Sequence, residues 1–147
     1  MTQHWLFLSH LVSTVLMTGI IWFVQVIHYP LMHYVEPSRF SEYSRDNQFR
    51  TSQVVIGPMV VELVTAAVLV CWFPRNALAP AFASSLFLLA AVWASTFFWQ
   101  VPLHTKLLSG YDSQTIIRLG QSNWLRTCCW TARTLLLVMM FQQQKSS

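Results

Sequence analysis

The sequence predicts an all-α membrane protein: a four-transmembrane-helix bundle made of two pseudo-repeated helical hairpins. Three observations carry this expectation. The 147 residues are 54% hydrophobic and only 10% charged, whereas soluble domains carry about 25% charged residues. Four apolar runs each approach the roughly 20 helical residues that span a hydrocarbon core. Turn-forming residues separate the runs.

The spans are expected at about residues 5–28, 52–73, 79–101 and 120–141 of a single domain. Tyr29-Pro30 closes the first, Phe73-Pro74-Arg75-Asn76 the second and Val101-Pro102 the third, because the residue before a proline is pushed out of the helical region. Ser109-Gly110 falls in the last loop. No Lys or Arg precedes the first run and no small-x-small site follows it, so it reads as a retained helix rather than a signal peptide. The segments 36–49 and 112–119 mix aromatics and charges and read as short interfacial helices, the second capped by Asp112.

Four spans put both termini on one side of the membrane. The two long loops on the other side hold Arg39, Arg45, Arg50, Lys106 and Arg118, with Arg126 just inside the fourth run. The terminal side has Arg75 and Lys145. The positive-inside rule therefore makes the loops cytoplasmic and both termini non-cytoplasmic. The net charge of +4 is spread out, so nucleic acid is excluded as a partner and the lipid bilayer takes its place. Cys71, Cys128 and Cys129 lie in apolar runs with no C-x-x-C spacing, which fits small buried hydrophobes.

Two stretches, "WFVQVIHYPLMH" (22–33) and "FFWQVPLH" (97–104), end apolar runs with similar letters. Gln25 to Arg50-Thr51 and Gln100 to Arg126-Thr127 span 25 and 26 residues, which suggests an internal repeat of two hairpins. Helical spacing gathers the polar residues into stripes. They are His10, Thr14, Ile21, Gln25 and His28; Thr51, Val55, Pro58, Glu62 and Thr65; Trp93, Thr96, Gln100 and His104; and Asn123, Arg126, Trp130 and Arg133. Glu62 and Arg133 lie roughly 15–20 Å along their helices, near mid-bilayer. A lone charge there costs a few kcal/mol or more, so the two are expected to pair.

Such stripes serve as interhelical glue or as a site. In the second reading, His28, His104, Glu62 and Arg133 carry the chemistry, while Gln25, Gln100, Asn123, Arg126, Arg50, Trp93 and Trp130 hold a ligand. His28 and His104 are candidate ligands of a mononuclear iron or copper ion. Haem fits less well, because both histidines sit near helix ends. A di-iron carboxylate centre needs several glutamates and only Glu62 is present in a span.

"GIIWFVQVIHYPL", "FFWQVPLH" and "NWLRTCCWTAR" together resemble a group of uncharacterised small bacterial four-helix membrane proteins. The resemblance covers nearly the whole chain and implies a multi-pass protein of the bacterial inner membrane. In layout alone the chain is also similar to anthrone-oxygenase-like membrane proteins, some of which act on polycyclic aromatics. The expectation that results is an oxidoreductase, oxygenase-like, acting on an apolar or aromatic small molecule. A transporter or proton-coupled carrier, or a subunit of a homo-oligomer or larger membrane complex, is the alternative. "AFASSLFLLAA" (81–91) is the candidate patch for a partner.

Overall fold

A computed structural model of the chain describes residues 2–71 and 79–146. The expected turn at Phe73–Asn76 lies outside the described residues. The described residues form helices and no strands. The first rod runs through α1 (Thr2–Phe23), a π turn (Val24–His28) and α2 (Tyr29–Leu31). Next comes α3 (Phe40–Val70), and then a rod made of α4 (Ala79–Ser95), a second π turn (Thr96–Gln100) and α5 (Val101–Leu107). The last rod is α6 (Ser113–Ser146). The first rod packs on α3 and on α6, and α4 packs on α6.

Three stretches are long and apolar enough to cross a membrane: Gln3–Tyr34, Pro37–Val70 and Ala79–Leu107. The fourth rod, α6, has the length but not the hydropathy. Its middle carries Asn123, Arg126, Thr127 and Arg133, all buried inside the bundle. The outer surface has the opposite character, with Val12, Leu16, Val54, Leu63, Phe87, Phe98 and Leu135 exposed. A protein with charged groups inside and aliphatic groups outside is built for lipid rather than water.

The segments expected as separate interfacial helices are the opening turns of long ones. α3 runs unbroken from Phe40, since residues 40–56 contain neither proline nor glycine. Asp112 caps α6 itself: its Oδ1 accepts the backbone N–H of Gln114 at 3.0 Å and of Thr115 at 3.3 Å.

Each π turn answers a proline. Pro30 and Pro102 have no N–H to give, and in a regular helix their rings would collide with the preceding turn. The helix widens just before each one: Tyr29 N–H bonds to the Val24 carbonyl and Val101 N–H to the Thr96 carbonyl, five residues back. The extra residue rotates everything after it. On the first rod the inward stripe goes from Gln25 to Tyr29, not to His28. On the third rod the buried line runs through Ser85, Leu89, Val92, Ser95 and Gln100. Trp93 and Thr96, expected on that line, are half-buried beside it. The matching letters of the two stretches do not occupy matching places: Gln25 is second in its π turn and Gln100 last.

Apolar clusters fill both ends. Phe7, Leu11, Leu69, Phe82, Leu137 and Met140 close the end near the termini. Tyr29, Met32, Phe40, Leu107, Ile116 and Leu119 pack the end near the loops. Within "AFASSLFLLAA", Phe82, Ser85 and Leu89 are already buried inside this chain.

Candidate intramembrane site

The deepest polar group is a closed network. Arg133 Nη1 donates to Glu62 Oε1 at 2.6 Å, and both side chains are fully buried. Trp130 Nε1 donates to the other carboxylate oxygen at 3.0 Å. Arg133 Nε donates to the Ser85 carbonyl at 3.2 Å, and its Nη2 reaches His10 Nε2 at 3.3 Å. A guanidinium has no acceptor, so His10 accepts at Nε2 and carries its hydrogen on Nδ1. That hydrogen goes to Thr65 Oγ1 at 2.8 Å, and Thr65 passes its own to the Val61 carbonyl at 2.6 Å. The pairing expected from the depths of Glu62 and Arg133 is therefore present. His10, buried as its place on the inward stripe implied, and the Ser85 carbonyl complete it.

A second network lies about two to three turns nearer the loops, counted along α6 from Arg133 to Arg126 and Asn123. Asn123 Nδ2 donates to Gln25 Oε1 at 2.9 Å, and Gln25 Nε2 donates to the Gly120 carbonyl at 3.1 Å. Arg126 Nη1 donates to Asn123 Oδ1 at 3.2 Å, and its guanidinium lies 5.1 Å over the Trp130 ring. Among the described residues Arg126 Nε has no partner. On the other side Tyr29 O–H donates to Gln100 Oε1 at 3.1 Å, while Gln100 Nε2 donates to Ser122 Oγ at 2.9 Å. Tyr29 has spent its only hydrogen, so the 3.4 Å contact with His104 is a donation from His104 Nε2. That leaves His104 Nδ1 as a bare acceptor, buried and without a donor.

Tyr29, Gln100, His104 and Arg126 of this network line one cavity of about 410 Å³, bounded by the first rod, α3 and the α4–α5 rod, whereas Gln25, Asn123 and Trp130, expected to hold a ligand, stand behind it. Met17, Ile21, Val55, Met59, Trp93 and Phe97 make its walls, and Tyr29, Gln100, His104 and Arg126 stand at one end. The rings of Trp93 and Phe97 stack at 5.5 Å. The rim residues Ile56, Val60, Phe97 and Val101 are exposed, so the mouth opens sideways between α3 and the α4–α5 rod.

The remaining candidates lie elsewhere. His28 faces a separate groove of about 710 Å³ with Arg50, and its Nε2 accepts from Asn47 Nδ2 at 3.1 Å. Arg50 is exposed. Tyr29 stands between the two histidines, its ring 5.7 Å from that of His28 and 6.1 Å from that of His104. His28 and His104 therefore open into different spaces, and no group of three or more His, Cys, Asp or Glu side chains comes together among the described residues. That donor set does not fit one shared metal ion. Tyr29 is the site residue the sequence hid, and Pro30 was the available signal, since it forces the π turn that rotates Tyr29 inward.

No protein-family model, curated protein or solved structure matches this chain, so its function is argued from the site itself.

Proposed function

We propose that the chain is a four-span inner-membrane protein that takes an apolar or aromatic molecule from the bilayer and exchanges a proton with it. The observation that carries this is the sideways-opening cavity, whose walls are apolar and whose polar groups gather at one end. A cavity of about 410 Å³ is of the size that holds a small organic ligand. Stacked Trp93 and Phe97 offer an aromatic wall. His104 Nδ1, oriented through Nε2 by Tyr29, is an acceptor waiting for a hydrogen.

An oxidoreductase or oxygenase-like step fits this equipment better than transport. The ligand would lose two electrons and two protons, the first proton passing through His104, and dioxygen dissolved in the bilayer would take them up as hydrogen peroxide. A carrier needs a path to the far side, and two features stand across that path. The Glu62–Arg133–His10 network is bonded to itself, and the cluster around Phe7, Leu69 and Leu137 seals the terminal end. Arg39, Arg45, Arg50, Lys106 and Arg118 are all exposed at the loop end, which supports loops in the cytoplasm and termini outside.

The test is saturable binding of anthracene to the protein in lipid nanodiscs, followed by energy transfer from tryptophan. The wild type is expected to saturate at one probe per chain, and Thr96→Phe, which fills the cavity, to abolish the saturable part. Equal, unsaturable partition in both would refute the proposal.

A further inference from the structure

Arg126 and Arg133 supply two positive charges to the bundle interior, and Glu62 supplies one negative charge. Glu62 is bound directly to Arg133 and reaches Arg126 only through the Trp130 ring, whose N–H it accepts. His10 accepts from Arg133 and is neutral. The interior is thus left with one positive charge, on Arg126, which is 8% exposed. Among the described residues no carboxylate pairs with it; the other ion pair joins Lys106 and Asp112 in the loop. An uncompensated guanidinium at this depth is costly, and the Asn123 amide and the Trp130 face offset only part of that cost.

A second polar atom of the same cavity is also unanswered. His104 Nδ1 needs a hydrogen, whereas Arg126 Nε needs an acceptor. Arg126 and His104 both line the space into which an apolar body would fit. A hydrocarbon answers neither, and an alcohol can answer both, its hydrogen on His104 and its oxygen on Arg126, but it leaves the positive charge of Arg126 uncompensated. An ionised acid compensates that charge through an oxygen on the guanidinium, and a singly ionised phosphoric monoester also keeps a hydrogen for the imidazole.

We propose that the cavity binds the ionised carboxylic or phosphoric acid head of an amphiphile, with Arg126 as the anion-holding residue and His104 accepting the hydrogen that a phosphoric monoester head retains. This rests on the cavity being a ligand site, and it narrows the ligand class. The head enters from the membrane through the mouth between α3 and the α4–α5 rod, and the apolar body stays against Trp93, Phe97 and the outer rim.

The experiment compares dodecanoic acid with 1-dodecanol, both titrated into the detergent-purified protein and read by calorimetry. A parallel arm uses nanodiscs of phosphatidylglycerol or phosphatidylcholine, with bound lipid counted by native mass spectrometry. The acid is expected to bind at least about tenfold more tightly than the alcohol, since a charge-assisted hydrogen bond is lost in the alcohol. Arg126→Gln should erase that difference and Arg126→Lys should keep part of it. Retention of phosphatidylglycerol over phosphatidylcholine, lost in Arg126→Gln, supports the same acid chemistry with a membrane lipid as its source. Equal binding of acid and alcohol by the wild type, with no lipid preference, overturns the acidic head while leaving the cavity a ligand site. Binding of none of these probes overturns both. The wild-type comparison stands even where a variant fails to fold.

Discussion

Arg133 and Glu62 meet at 2.6 Å with neither side chain exposed, 71 residues apart in sequence. Both helices are fixed in rotation and in depth by this one contact. Breaking a buried pair by removing one partner leaves a naked charge, at a cost of about 3–5 kcal/mol. Glu62→Ala and Arg133→Ala should each lower the thermal midpoint sharply in detergent. The double variant Glu62→Arg with Arg133→Glu should recover at least half of the loss. A swap no more stable than either single variant would show that the pair is not the lock it looks to be.

Trp130 joins the two polar layers, since its N–H goes to Glu62 and its ring lies beneath Arg126. Trp130→Phe keeps an aromatic face and removes the donor, which should cost about 1–3 kcal/mol in unfolding measurements. Trp130→Leu removes the face as well, and should cost about 0.5–2 kcal/mol more. Equal losses in the two variants would mean that Arg126 gains nothing from the ring.

How much of this was legible in the sequence depends on the regularity of the helices. α3 and α6 keep the 3.6-residue period along their length, and Glu62, Thr65, Asn123, Arg126, Trp130 and Arg133 are buried as their spacing implied. Spacing failed at the first π turn, whereas on the third rod Trp93, Thr96, Gln100 and His104 all line one cavity. It gave His28 an inward place that Tyr29 holds, and it predicted a site shared by His28 and His104 where there are two separate spaces. The prolines were visible, but spacing alone does not say whether a proline ends a helix or widens it. Here both rods continue past Pro30 and Pro102. The fourth apolar run expected at 120–141 lies within α6, whose buried Asn123, Arg126 and Arg133 lower its mean hydropathy, and three other stretches among the described residues are apolar enough to cross a membrane.

Tyr29 tests the corrected register. Its hydroxyl joins Gln100 and His104, so Tyr29→Phe leaves the Gln100 oxygen and the His104 N–H unanswered. The expected loss is about 1 kcal/mol of stability, with weaker ligand binding in the cavity. His28→Ala, facing the outer groove, should leave that binding unchanged. Titrating both variants with the same probe separates the two, and a larger binding defect in His28→Ala would contradict the assignment.

The loop before α6 carries the pH-sensitive element. A hydrogen bond from Lys106, then two from Thr115, hold the Asp112 carboxyl below the usual carboxylate range. A depressed folded value means the contribution is fully present above the unfolded value near about pH 4. It is lost as pH falls through the folded value. Hydrogen exchange at the Gln114 and Thr115 amides should therefore lose protection, relative to the intrinsic rate at each pH, below about pH 4, the unfolded carboxylate value. In Asp112→Ala it should be fast at neutral pH as well. Protection unaffected by this substitution would remove Asp112 as the cap.

A molecule drawn from the bilayer is expected in the space between α3 and the α4–α5 rod. Photolysis of a benzophenone-bearing dodecanoic acid with the protein in nanodiscs, followed by peptide mapping, tests it most directly. The account predicts adducts at Met17, Met59, Trp93 and Phe97, suppressed by excess dodecanoic acid. Adducts confined to outward residues such as Val12, Leu63 and Phe87, and indifferent to competitor, would contradict it.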